Sequence, residues 1–485
     1  MKVIAGNRSA LALLSIIVVL GFTGCANQPK SSIPATAGPD SLQVGMAEID
    51  ITPPIGYRMA GYFDERLSTG MHDPLKAKAI VLRQGGQQAA LVFCDLVGPS
   101  LNVTRKARAQ ASSATGIPFT NIVIAATHSH TGPLFDDVRR DDFHREAVAK
   151  YGFDPEEKID YPAFLTSQLV RVIVKARANL QPSEVDAGIA TQLGLAFNRR
   201  YYMKNGKVTF NPGQLNPNIV GPAGPVDPDL GILLVKNAKH AKPTGGLTVF
   251  AMHADTTGGT EYSADYPYAI QQTLRQAFGS NYISVFGAGT CGNINHINVS
   301  KKEPVKGFDV AQKLGDTIGA TVLADVPNLK PITQPNLAVR DKILMLPMQT
   351  VTPRQIAEAR VIVERMTDTN MNFYAKVQAV KAVDLAQRGT NYPAEIQVFR
   401  LDSDTAIVCL PAEIFVEFGL AIKAASPFKK TMVITICNDR PSYVPTLKAF
   451  KEGSYEVINS RLAPGSGEAM VEAAIKMLNE LKRDL

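Results

Sequence analysis

No stretch of this 485-residue chain interleaves dense lysine and arginine with aromatic side chains, which argues against nucleic acid as a partner despite a formal net charge of +7. Cysteine is scarce: of five, Cys94, Cys291, Cys409 and Cys437 each lie in or just after an apolar run, without the spacing of a metal site. They read as small buried residues, with one disulfide open to them if the protein is exported. Internal repeats are absent, and no Pro/Gly/Ser-rich linker divides residues 44–485, which excludes a repeat array and favours one α/β domain over two. The apolar run 10–20 is too short for a comfortable membrane span.

That run follows Lys2 and Arg8 and leads to Thr23-Gly24-Cys25, which makes residues 1–24 a secretory signal, with an uncleaved anchor helix as the alternative. The Thr-Gly-Cys ending resembles a bacterial lipobox, with Cys25 lipidated as the first mature residue. Residues 25–43, rich in Pro, Ser, Ala and Gly, read as a flexible tether. The expected location is the cell envelope, lipid-anchored. Ala26 and Asn27 lack the acidic inner-membrane retention signal, so the outer membrane is preferred.

Strand and helix patterns intermix from there to the C-terminus. A short strand from Val44 ends at Pro53-Pro54. Residues 76–83 and 88–96 form a hairpin across Gln84-Gly85-Gly86, and 201–210 form another with Asn205-Gly206 at the tip. Further strands are expected at 121–126, 184–197, 231–235, 247–252, 282–286, 396–401, 405–410 and 432–436. Helices are expected at 102–114, 161–179, 266–278, 309–323, 353–366, 372–388 and 467–482. Residues 136–157 and 211–229 read as loops, the first either a substrate-facing insertion or a solvated excursion.

Chemistry concentrates at strand ends. Thr127-His128-Ser129-His130-Thr131-Gly132-Pro133 follows an apolar run, and alternate residues of a strand share a face, so both imidazoles can reach one site. Such a pair suits a metal ligand beside a general base or substrate contact. His253 repeats the design after residues 247–252. Glu413 follows another strand and Tyr443 yet another, although residue chemistry alone does not choose Tyr443 over Tyr455 or Tyr262. Zinc takes nitrogen and carboxylate ligands while keeping a position open for water. Asp95 and Asp265 either orient these imidazoles or cap a helix or turn, and the Gly287-Ala288-Gly289-Thr290 loop is either a plain turn or a source of backbone donors.

The Asp-Ile-Thr-Pro-Pro within 44–61, Thr127 to Pro133, Phe197-Asn198-Arg199, Met252-His253, Pro411-Ala412-Glu413 and Ser442-Tyr443-Val444-Pro445-Thr446 resemble, in order, the neutral/alkaline ceramidase family over 44–459. The resemblance implies a catalytic domain of β-sheets sandwiched between helices, and a zinc ion held by His128, His253, Glu413 and Tyr443. It also implies His130 as the catalytic imidazole and Arg199 as the site arginine. Two departures stand out. Asn295 occupies the place of the family's proposed serine nucleophile, which favours zinc-activated water, and the chain ends too soon after 467–482 for the family's C-terminal immunoglobulin-like domain. The implied function is zinc-dependent hydrolysis of an N-acyl amide bond in ceramide or a related N-acyl lipid. The alternatives are an amidase or esterase on a non-ceramide substrate, or a non-catalytic ligand-binding lipoprotein of the envelope.

Overall fold

The computed structural model describes residues 41–366 and 370–485. The signal, Cys25 and all of the tether before residue 41 lie outside the described residues. No helix among the described residues is long and apolar enough to cross a membrane.

Strand periodicity builds the central layer. In Lys76–Gln84, Ala77, Ala79 and Val81 face one hydrophobic cluster while Ile80 and Leu82 face another, the two-residue period of a strand covered on both faces. Its sheet has nine strands. In spatial order they are Ile283–Ala288, Pro243–Phe250, Asp229–Asn237, Gln181–Thr191, Gln43–Asp50, Lys76–Gln84, Gln87–Cys94 and Ile122–Ala126, with Lys330–Pro331 added on Gln181–Thr191. Neighbours are antiparallel except the outermost pair at each edge, which is parallel. A second sheet, Ala338–Pro347, Asn391–Arg400, Thr405–Cys409 and Lys430–Ile434, has four strands.

Four layers result. The alanine-rich face of the large sheet packs under helices Leu101–Thr115, Tyr161–Ala178, Tyr266–Phe278 and Phe308–Asp325, through residues such as Ala107, Val172, Ile270 and Ile318. Its other face, with Met46, Ile80 and Leu91, meets Phe399, Ile407 and Met432 of the smaller sheet. The far side of the smaller sheet, Ile396, Val398 and Val433, is covered by Ile422 of Val416–Ala425 and Leu478 of Ser466–Arg483. Each such aliphatic side chain contributes roughly 1.5–3 kcal/mol when fully buried. The expected β-sheets between helices are therefore what forms, and all four cysteines of the described body are buried and free.

Residues 435–438 tie the two edges of the large sheet together. Thr435 N donates to Ala288 O (2.9 Å), Ala126 N to Ile436 O (3.2 Å), and Asn438 N to Ile124 O (2.6 Å), while Asn438 Oδ1 accepts from Ile124 N (3.0 Å). The C-terminal ends of both parallel edge pairs are thereby brought to the same place.

The structure corrects several expectations. Within the expected loop 136–157 lies the helix Val138–Tyr151, capped by Asp137, which accepts from Arg139 N, and closed by left-handed Gly152. Its buried face includes Arg139 and Asp142, charges that hide the apolar period. The strand Ala338–Pro347, outside the expected set, is a largely exposed edge carrying Arg340, Asp341 and Lys342 and so lacks the apolar pattern of a buried strand. Ile219–Pro222, within the expected loop 211–229, pairs with Arg200–Met203, and the expected strand 184–197 ends at Thr191.

Candidate metal centre

His128 follows the edge strand Ile122–Ala126 and His253 follows Pro243–Phe250, so the two sheet edges deliver their imidazoles to one buried point. The ring centroids are 4.4 Å apart. Glu413 and Tyr443 arrive as partners in a two-residue parallel ribbon, Glu413–Ile414 with Tyr443–Val444. Backbone in the left-handed region surrounds these positions at His128 (φ 70°), Ala412 (φ 72°) and Ser442 (φ 88°). Each such non-glycine residue costs on the order of 1–3 kcal/mol, and such strain clusters at functional sites.

Backbone carbonyls fix the tautomers. His128 Nδ1 donates to Val97 O (2.6 Å), and His253 Nδ1 faces Cys291 O (2.7 Å) and Ile294 O (3.0 Å). A carbonyl can only accept, so Nδ1 carries the hydrogen and, in the neutral ring, each Nε2 carries the lone pair. Those two Nε2 atoms lie 3.3 Å and 3.5 Å from Glu413 Oε2, a buried oxygen without a hydrogen-bond partner. Burial, then Arg199 and His128, push the His253 imidazole down to about 3. Burial would raise the Glu413 carboxyl, but His128, His253 and Arg440 hold it well below its usual range. With the imidazoles neutral, two acceptor nitrogens and a carboxylate oxygen converge on one point, a donor set that fits a divalent cation.

The second imidazole of the pair sits differently. His130 Nδ1 donates to Gly61 O (3.0 Å), and its Nε2 stands 3.4 Å from His128 Nε2. Ligand atoms of His128, His130 and His253 all lie within 4.8 Å of one another, a group able to hold a metal ion. The His130 side chain is 12% exposed against 1% for His128 and His253, so it is the most accessible of the three imidazoles. Burial lowers its pKa well below the usual imidazole value. Gly61 (φ 107°) lies against its backbone, where a Cβ would come within 2.5 Å of His130 O.

Arg199 NH1 lies 3.2 Å from His253 Nε2, while its Nε donates to Glu456 Oε1 (3.0 Å) and its NH2 to Gly292 O (2.7 Å). Glu456 is fully buried and its other oxygen accepts from Arg200 NH1 (3.0 Å). Glu456→Ala would leave the buried Arg199 guanidinium without its acid and Arg200 with Glu452 (3.2 Å) alone. It is expected to cost about 3–5 kcal/mol of unfolding free energy, read as a drop in the denaturant midpoint. Tyr443 stacks 6.4 Å from His253 under the Arg199 guanidinium, and burial raises its phenol well above the ordinary value.

Asp95 and Asp265 do not orient the ligand imidazoles. Asp95 accepts from Lys76 N and Thr127 Oγ1, and Asp265 caps the helix Tyr266–Phe278 and gathers Thr256 and Thr257. Gly287 and Ala288 belong to the strand Ile283–Ala288 and Gly289 N is spent on Phe250 O (2.8 Å), so the segment is a strand end rather than the expected turn. Asn295 pairs with Phe197 and donates to Asn211 Oδ1 (3.0 Å), a structural role beside the carbonyls that hold His253.

Beyond the expected residues, the site opens into a cavity of about 470 Å³ that His128, His130, Glu413 and Tyr443 line with Arg139, Arg388, Arg440 and Arg461. Arg440 NH1 reaches Glu413 Oε1 (3.3 Å), the oxygen turned away from the imidazoles. The nearby sequence Asn438-Asp439-Arg440 was the only signal for it.

Residues 42–262 match the family described as neutral/alkaline non-lysosomal ceramidase, N-terminal. Within that match lie His128, His130, Arg199 and His253, while Glu413 and Tyr443 fall beyond it. A neutral ceramidase of Pseudomonas aeruginosa is 26% identical over 255 residues, which cover 51% of this chain and only 34% of that protein. The crystal structure of neutral ceramidase from the same organism superposes with a TM-score of 0.70 at 20% identity, over 92% of this chain and 75% of that one. A ceramidase complexed with C2 gives 0.67 at 19% identity, over 92% and 76%. Residues 42–262 are thus similar to the neutral/alkaline non-lysosomal ceramidase N-terminal family, and across 92% of its length the chain takes the fold of the neutral ceramidase structure.

Proposed function

We propose that residues 44–485 form a zinc-dependent amidohydrolase that cleaves an N-acyl amide bond, in ceramide or a related N-acyl compound. The observation that carries this reading is Glu413 Oε2, buried and unpartnered, facing the Nε2 lone pairs of His128 and His253. These three residues and Tyr443 would hold the ion, which when bound supplies a Lewis acid and brings the pKa of water toward about 7.

The chain's own groups supply the rest. His130, its Nδ1 committed to Gly61 O, keeps Nε2 free to take a proton from the attacking water and return it to the leaving amine. Arg199, braced by Glu456 and Gly292 O, would donate to developing negative charge on the carbonyl oxygen. Val97 O, Cys291 O and Ile294 O keep both ligand imidazoles in one tautomer throughout.

The test is metal analysis of purified protein together with fatty-acid release from a short-chain labelled ceramide. Close to one zinc per chain with release of the acyl group supports the reading; metal-free protein that binds but never cleaves supports a binding lipoprotein instead. We further propose export and lipid anchoring through Cys25. Cys25→Ala is expected to shift the protein from the membrane pellet to the soluble fraction on cell fractionation.

A further inference from the structure

The cavity beside the metal centre is walled by charge. Three of its four arginines are paired with acids, two of them sharing one. Arg139 forks onto Asp137 with two contacts of 2.7 Å, Arg388 Nε donates to Asp384 (2.8 Å), and Arg461 Nε donates to the same carboxylate (3.0 Å). Asp439 has Arg388 NH1 at 3.6 Å, and the remaining lining acids, Asp136 and Asp141, are exposed at the rim.

Arg440 is the exception. Its guanidinium makes one long contact, NH1 to Glu413 Oε1 at 3.3 Å, with an acid whose other oxygen faces the ligand imidazoles. Its NH2 is 4.0 Å from Asp137 Oδ2, an oxygen already taken by Arg139, and its Nε is buried without a hydrogen-bond partner. The side chain is nonetheless fixed in place. It lies on Gly98, where any Cβ would collide with Arg440 Cδ and Nε. A half-buried, oriented guanidinium with open donors, its Nε buried, recognises a planar oxyanion.

Resting on the hydrolase reading above, we infer that Arg440 is the specificity-determining residue for a carboxylate on the substrate, and that the preferred substrates are N-acyl amino acids. Distance selects this class. Arg440 contacts the far oxygen of a carboxylate whose near oxygen faces both ligand imidazoles, so the recognised anion must lie close to the scissile amide. An α-carboxylate, two bonds from the amide nitrogen, meets that demand. Purely apolar groups filling the same space would desolvate Arg440 without replacing its hydrogen bonds, a cost that a carboxylate avoids.

The binding probe is N-(octylsulfonyl)glycine against its primary amide, titrated calorimetrically into the purified, metal-loaded full chain; neither probe has a scissile carbonyl. The acid is expected to bind about 10–100-fold tighter than the amide, the scale of a charge-assisted hydrogen bond. Arg440→Gln should bring that ratio to within about twofold, and Arg440→Lys should retain part of it. If Arg440→Gln misfolds, the wild-type ratio and Arg440→Lys still test the inference. Equal affinities in the wild type, or a ratio unchanged in folded Arg440→Gln, overturn the inference.

Turnover of N-octanoylglycine, N-octanoylglycinamide and short-chain ceramide separates the two readings. Cleavage in which the neutral amides match or exceed the acid keeps the hydrolase and overturns the role of Arg440. Tighter binding of the acid with no release from any of the three keeps Arg440 and overturns the hydrolase.

Discussion

His128→Ala and His253→Ala are each expected to reduce bound metal from about one equivalent per chain to well below a tenth, with kcat/KM for amide hydrolysis falling by at least ~10³-fold. Both imidazoles are held by carbonyls on one nitrogen and present a lone pair on the other toward the single unpartnered oxygen of Glu413. Deleting either one removes a neutral donor and leaves a buried carboxylate facing the remaining imidazole, a poor cage for a dication. Elemental analysis on gel-filtered protein reads the metal, and far-UV circular dichroism shows whether the fold survives. Full occupancy in both variants would sink the ligand assignment. Glu456→Ala provides the contrast, since its damage is to stability through Arg199 and Arg200 and not to the donor set.

What could be read in the sequence follows from how local each signal is. Apolar runs that end in His128 and His253 are strand ends by a rule that spans only five to ten residues, and the structure places both where that rule puts them. The layered arrangement was legible for the same reason, because alternating and helical periods are short-range. Orientation was not. The imidazoles are steered by carbonyls of Val97, Cys291 and Ile294, which any residue type supplies, and not by Asp95 or Asp265, whose acidity had made them candidates. Charged residues with distant partners were equally hidden. Glu456 joins Arg199 across more than 250 positions, and Arg139 inside the helix Val138–Tyr151 is buried only because Asp137 and Tyr62 O receive its donors. Such pairs invert the rule that charge marks surface, so a helix lining the cavity carries the sequence pattern of a loop.

His130→Ala is expected to behave unlike the ligand variants: metal content stays near one equivalent while kcat falls about 10²–10⁴-fold with a smaller effect on KM, the usual range for losing a general acid–base group. Geometry alone permits two roles, because His130 Nε2 lies 3.4 Å from His128 Nε2 and the three imidazoles form one potential metal group. Their surroundings separate them. His128 and His253 point into the buried gap occupied by Glu413 Oε2, whereas His130 borders the cavity beside Tyr62, with Asp255 Oδ1 at 3.9 Å from its Nδ1. A proton carrier needs that access to water and to the leaving amine, while a structural ligand does not. Metal loss in His130→Ala equal to that in His128→Ala would make it a third ligand, and the proton transfers would then have to pass through another group at the cavity wall.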